Sequence, residues 1–202
     1  NDFTGLLNIG EGLTVNAIAG ALGKGETALQ LGNGSRLVLN KTASSQEQKL
    51  NGLTLNGDSH LEISDDVTLN LSLNDPESYI NTNSRPTEIG ASQLSGEGNL
   101  VISSGHLRMM GNISTFFNNF KGNTDIEGES VLTFEETDGD FTLNNISGTG
   151  RVNLITDVLN TTITLGDLHD FTGTMTTSGD ISLLFNDGTQ IASNSDLTIS
   201  NS

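Results

Sequence analysis

The sequence predicts an all-β chain wound as a solenoid of short, stacked strands. Three observations lead there: apolar and polar residues alternate with a period of two, the alternating segments recur on an eight-residue grid, and longer motifs repeat along the chain. The alternation is clearest where Val67, Leu69, Leu71 and Leu73 are interleaved with Thr68, Asn70 and Ser72. Shorter copies are Leu37/Leu39, Leu53/Leu55, Leu61/Ile63, Leu100/Ile102, Phe141/Leu143, Val152/Leu154, Ile163/Leu165, Ile181/Leu183/Phe185 and Leu197/Ile199. This pattern turns one face of each strand inward and leaves Thr, Ser and Asn outside. Gly and Asn-Gly interrupt the chain often, and no helical segment is expected.

The grid is carried by Leu29, Leu37, Leu53, Leu61 and Leu69, the cadence of short strands each followed by a tight turn. Composition narrows the choice of β architecture. Of 202 residues only 33% are hydrophobic and 4% aromatic, with 24 Gly and 2 Pro. A sandwich or barrel needs bulkier side chains to fill a wide core. A solenoid needs fewer, because each coil stacks on the next around a narrow one. At roughly 22 residues per coil the chain would make about nine coils. We read residues 1–202 as a single β-helix domain or fragment, with a loop excursion at 74–92.

A longer repeat supports stacking. LSGEGNL at 94–100 returns as ISGTGRV at 146–152, and NFKG at 119–122 returns as DFTG at 170–173. The displacement of 51 or 52 residues suggests two coils of a three-sided helix. A third DFTG stands at 2–5, ahead of NIGEGLTV. These Phe-Thr/Lys-Gly segments, with the Leu/Ile-Ser-Gly-x-Gly-x-Leu/Val segments as coil openers, resemble the passenger repeats of Gram-negative autotransporters. The resemblance covers nearly all of the chain except 74–92. It implies a right-handed, three-sided parallel β-helix, displayed on the bacterial surface or secreted, that acts as an adhesin or self-associating factor; the alternatives are a carbohydrate-active β-helix enzyme, lyase or glycosidase, and a purely structural stalk. It also implies a host-surface protein or glycan, or like molecules, as partners. Contact with a membrane would then run through a separate barrel domain.

Charge and motifs bound the function from other directions. With 8 basic and 25 acidic residues the net charge is −17, which disfavours nucleic acid and anionic lipid. No apolar run has the roughly 20 residues that span a bilayer. The N-terminal NDFTGLLNIGEGL lacks the basic start of a signal peptide, so the chain reads as processed or excised. With no Cys, disulfides and thiolate metal sites are excluded. Gly57-Asp58-Ser59-His60 has the look of a hydrolase motif, but three neighbours along one turn and strand do not converge as a triad. His60, His106 and His169 stand apart beside turns, and Asp65-Asp66 and Asp138-Gly139-Asp140 match no calcium loop. The eight Lys and Arg form no cluster of the kind lyases use, although a glycosidase carboxylate pair is an alternative that 25 acids leave open. No catalytic residue, metal site or cofactor is therefore assigned, and the chain is read as a non-enzyme. Met109, Met110, Phe116, Phe117 and Phe120 read as a core ladder.

The ligand-binding expectation falls on 74–92, which holds both prolines and the only Tyr. Pro76 and Pro86 cannot donate to a central ladder, and loops on rigid scaffolds collect recognition residues. Tyr79 offers a ring face with a polar tip, and Arg85 a planar donor fork. Asp75, Glu77, Asn81, Asn83 and Glu88 supply further polar groups.

Overall fold

The computed structural model describes residues 3–23, 27–43, 46–73, 86–166, 168, 170–185 and 196–199, the last four as backbone only. The chain is a right-handed, three-sided parallel β-helix of stacked turns. Among the described residues every strand pairing is parallel, and partners lie one turn apart, as Leu37↔Leu61 and Val152↔Met175 do. The first side stacks Gly5–Ile9, Thr27–Leu31 and Gly52–Leu55. It continues through Thr87–Gly90, His106–Gly111, Val131–Glu136, Arg151–Thr156, Thr174–Ser178 and Asp196–Ile199. The second side stacks Thr14–Ile18, Arg36–Asn40, His60–Ile63 and Leu94–Gly96, and resumes with Phe141–Leu143, Thr161–Leu165 and Ile181–Phe185. The third comprises Glu47–Leu50, Thr68–Ser72, Asn99–Ser104, Thr124–Ile126 and Ile146–Gly148. The turn length varies, from 20 residues where Leu132 pairs with Val152 to 33 where Leu61 pairs with Leu94.

The eight-residue grid is one side of this triangle. Three sides make a 24-residue turn, so Leu29 lies in register with Leu53 and Leu37 with Leu61. All four side chains point inward and are buried. On the upper first side the inner row runs Ile89, Met109, Phe134, Leu154, and beside it Leu107, Leu132, Val152, Met175. Burying each such side chain stabilises the stack by about 1.5–3 kcal/mol. Among the inward polar side chains, Gln48 and Gln93 are fully used. Gln48 accepts from the Gly20 and Leu22 amides at 3.0 and 3.2 Å and donates to the Gly23 and Lys49 carbonyls. Gln93 accepts from Gly90 and donates to the Leu55 and Gly57 carbonyls.

The repeated motifs turn out to be the two halves of one corner. Gly96 bridges to Phe120 on the next turn, and Gly148 bridges to Phe171. Gly96 and Gly148 have φ of +117° and +100°, and a Cβ there would lie 2.0 and 2.2 Å from the carbonyl oxygens of Ile63 and Ile126. One turn up, Gly122 and Gly173 pack so closely on Gly98 and Gly150 that a Cβ would fall 1.6 and 1.9 Å from their carbonyls. Ser-Gly-x-Gly therefore lies directly beneath Phe-x-Gly. The first copy joins the second side to the third, and the second copy joins the third side to the first. The 51–52-residue displacement is thus two turns plus one side, a correction to the two whole coils expected.

Two other expectations change. Ile113–Asn119 is an α-helix, α1, where only strands were foreseen. It takes the place of a strand on the second side, between Leu94–Gly96 and Phe141–Leu143. The excursion expected at 74–92 does not extend to its C-terminal end: Thr87–Gly90 is a strand, with Ile89 and Ala91 buried in the stack. Pro86 immediately precedes that strand, the position at which a missing N–H costs a ladder nothing.

Leu69 lies between Gln48 and Leu100 in the third-side row, with no solvent exposure. Leu69→Asp should lower stability by several kcal/mol, about 4 if the charge stays unpaired, read from chemical denaturation. A wild-type midpoint in that variant would place Leu69 outside the core. Far-UV circular dichroism of the parent should show β-structure with helix limited to a few per cent.

Candidate functional site

Ser59 and His60 do not meet. The 56–59 segment is a corner turn, and Ser59 is buried beneath it, its Oγ without a hydrogen-bond partner. His60 opens the next strand and points out. Its Nδ1–H donates to the Ser92 carbonyl at 3.1 Å, which leaves Nε2 to accept from Ser95 Oγ at 2.7 Å. Nucleophile and base thus lie on opposite faces of the chain, and the Gly-Asp-Ser-His segment is structural. Burial holds the His60 imidazole below its ordinary value near 6.5, against the pull of the Ser92 carbonyl, with Arg36 adding to the depression.

The other candidates are likewise occupied by packing. His106 Nε2 meets Thr133 Oγ1 at 2.8 Å, and His169 lies outside the described residues. Asp66 pairs with Lys41, Asp138 accepts from Asn112, and Asp140 Oδ1 accepts from the Thr162 amide at 2.6 Å. Among the described residues no group of three His, Asp or Glu could hold a metal ion. Of the ligand-binding expectations, Asp75, Glu77, Tyr79, Asn81, Asn83 and Arg85 lie outside the described residues. Glu88 stands on the strand Thr87–Gly90 and bonds Arg108 Nη1 at 3.1 Å. Arg108 reaches up to Glu135 as well, so these three residues form an outer ladder across successive rungs.

Among the described residues an open concavity lies elsewhere, beside α1. Asn112 caps the helix by accepting from the Thr115 amide at 3.1 Å. Ile113, Phe116, Phe117 and Phe120 follow at helical spacing and face the core. Phe116 stacks on Phe120 at 5.2 Å, and Phe117 packs against Phe134 and, at 6.4 Å, against Phe141. The next turn anchors the helix start. Buried Glu136 accepts from the Ile113 amide at 2.9 Å with Oε2, and from the Thr137 and Asp138 amides with Oε1. Ser114 Oγ donates to the Asp140 carbonyl at 2.8 Å. Lys121 Nζ donates to the Phe117 carbonyl at 2.7 Å near the helix end.

A helix is wider than a strand, so α1 stands proud of the side it interrupts. Between it and the strands that follow runs an open groove of about 570 Å³. Phe117, Asn118 and Lys121 form its helix wall. Its floor is the outer face of Phe141–Leu143 and Thr161–Leu165, with Thr142 and Thr164 in register one rung apart and Leu184 at the far end. The reading of Met109, Met110, Phe116, Phe117 and Phe120 as a core ladder accounts for the burial of Met109, Phe116 and Phe120 but missed the helix, whose i, i+3, i+4, i+7 spacing and Asn cap were present in the sequence.

Two outcomes test this geometry. Glu136→Ala strips three amides of their acceptor, that of Ile113 buried, and should cost roughly 3 kcal/mol, with Glu136→Gln recovering part of it; equal stability of all three proteins would contradict the anchoring role. Folded His60 favours the neutral ring, so the stability it contributes is present above about pH 6.5 and is lost as pH falls through its lower folded value. The drop in melting temperature from pH 7 to pH 5 should therefore be smaller in His60→Gln than in the parent, and equal drops would refute the assignment.

No protein family, curated protein or solved structure matches this chain.

Proposed function

We propose that this chain is a section of a bacterial surface-displayed or secreted passenger whose outer surface adheres to a host protein or glycan or to like molecules. The observation that carries the reading is the repetition of hydrogen-bonding side chains up the outside of a rigid stack. On the first side Asn153 and Thr176 hold successive rungs, bonded to each other at 2.7 Å, with Asn153 donating at 3.2 Å to the buried Thr133 on the rung below. On the third, Asn70 stands between Glu47 and Ser103. Such faces present hydrogen-bonding side chains on successive rungs, about 4.8 Å apart, to a partner laid alongside. The likeness of the Phe-x-Gly and Ser-Gly-x-Gly corners to autotransporter passenger repeats supports the same reading. Binding rather than turnover suits the groove, because Asp140 is the one carboxylate among its lining residues and glycoside hydrolysis uses two.

The test is attachment. Beads coated with the protein should adhere to host-cell or bacterial surfaces, or to one another, above the level of uncoated beads. Where the contact is between like molecules, the net charge of −17 opposes it, so light scattering should rise with added salt. Absence of attachment to any of these surfaces at high protein and high salt would overturn the proposal.

A further inference from the structure

The geometry points to the groove beside α1 as a binding site for a neutral, unbranched oligosaccharide laid along the solenoid axis. This inference rests on the adhesive reading above and names a ligand class and a place for it. The floor carries Thr142 and Thr164, in register on neighbouring rungs, with side chains on the outer face. The rung repeat of about 4.8 Å is close to the length of one pyranose unit in an extended chain. Each hydroxyl both donates and accepts, as do the paired hydroxyls of a sugar edge. Neither Thr side chain, nor that of Asn118 or Asn144 at the rims, makes a hydrogen bond to another described residue. All four are free for a ligand.

The groove also offers apolar surface where a sugar ring would lie. Phe117 is half-buried in the wall, its plane fixed by Phe116, Phe134 and Phe141. Leu184 is 49% exposed at the other end. A pyranose, polar at its edge and apolar across its C–H face, matches a ring and an aliphatic side chain flanking a row of hydroxyls. The charged groups argue for a neutral ligand. Lys121 is bonded to a carbonyl of α1 and Asp140 to an amide of the floor, so both serve the backbone. The field of a chain with net charge −17 repels polyanions.

The experiment is a titration of the ¹⁵N-labelled protein with cellohexaose, chitohexaose and laminarihexaose, with oligogalacturonate as the anionic probe, followed by amide shifts. Saturable shifts at Thr142, Asn144 and Thr164 with at least one neutral oligosaccharide, and none with oligogalacturonate, are expected. Thr164→Arg, which fills the groove, should abolish binding. The double variant Thr142→Ala/Thr164→Ala should weaken it about tenfold with an unchanged melting temperature. Lys49→Ala, on another side, should bind as the parent does. No neutral oligosaccharide bound, shifts confined to other residues, or full affinity in both groove variants would overturn the inference. Bead attachment of the double variant separates the two proposals. Attachment retained while oligosaccharide binding is lost leaves the adhesive reading standing on the other faces and rejects the groove as its contact. Oligosaccharide binding without any attachment in the parent supports the groove and overturns the adhesive reading.

Discussion

Parallel pairing between successive turns is the constraint on which everything else in this molecule depends. Each strand donates and accepts its backbone hydrogen bonds to the turn above and the turn below, so a residue's neighbour on the next rung is its register partner. Inward positions must then stack like on like, as Leu37 does on Leu61 and Phe134 on Leu154. The core needs no thickness beyond these rows. That is how a chain with so few bulky residues closes a core, and why short alternating segments suffice where a sandwich would need long ones.

Pairing along the sides leaves the corners to be solved separately, and the side chains that solve them are polar. Gln48 and Gln93 sit where apolar residues would otherwise stack and satisfy amides and carbonyls that a change of direction strands. Asn33 accepts from the Asp58 amide and Asn56 donates to the Leu31 carbonyl, each one turn away. The glycine corners remove side chains altogether where two backbones touch. At the α1 corner a carboxylate is enclosed instead. Glu136 anchors the helix from the next turn, and the helix in turn raises the wall of the groove. Among the described residues, the place where α1 interrupts the β-stack of the second side is thereby also concave.

Much of this was legible beforehand, for a physical reason. Side-chain alternation and the eight-residue grid are imposed by the strand geometry and by three equal sides, so they show in any copy of Leu29, Leu37 and Leu53. The buried positions of Gln48 and Glu136 follow the same alternation, since each continues an inward series. The side to which a motif belongs was not legible. A Ser-Gly-x-Gly corner serves equally between the second and third sides or between the third and first, and the spacing alone does not distinguish two turns from two turns and a side. α1 escaped notice because its apolar stripe is only Ile113, Phe116, Phe117 and Phe120, too short to stand out from strand alternation. The strand Thr87–Gly90 was masked by Pro86 and by having a single inward apolar residue, Ile89. The groove could not be read at all, because it exists only where a helix and two later rungs of one side come together.

The register itself is the central claim, and cross-linking measures it most directly, since the chain has no Cys of its own. Val38 and Glu62 are outward partners on the second side, Val101 and Asp125 on the third, and Thr142 and Thr164 on the groove floor. Neighbouring rungs place such partners about 5 Å apart, within the span of a disulfide. Each pair changed to Cys should oxidise rapidly to an intramolecular disulfide in the folded protein, whereas Val38→Cys/Val101→Cys, on different sides, should stay reduced. Oxidation of the mismatched pair, with the three register pairs left reduced, would contradict the three-sided stack.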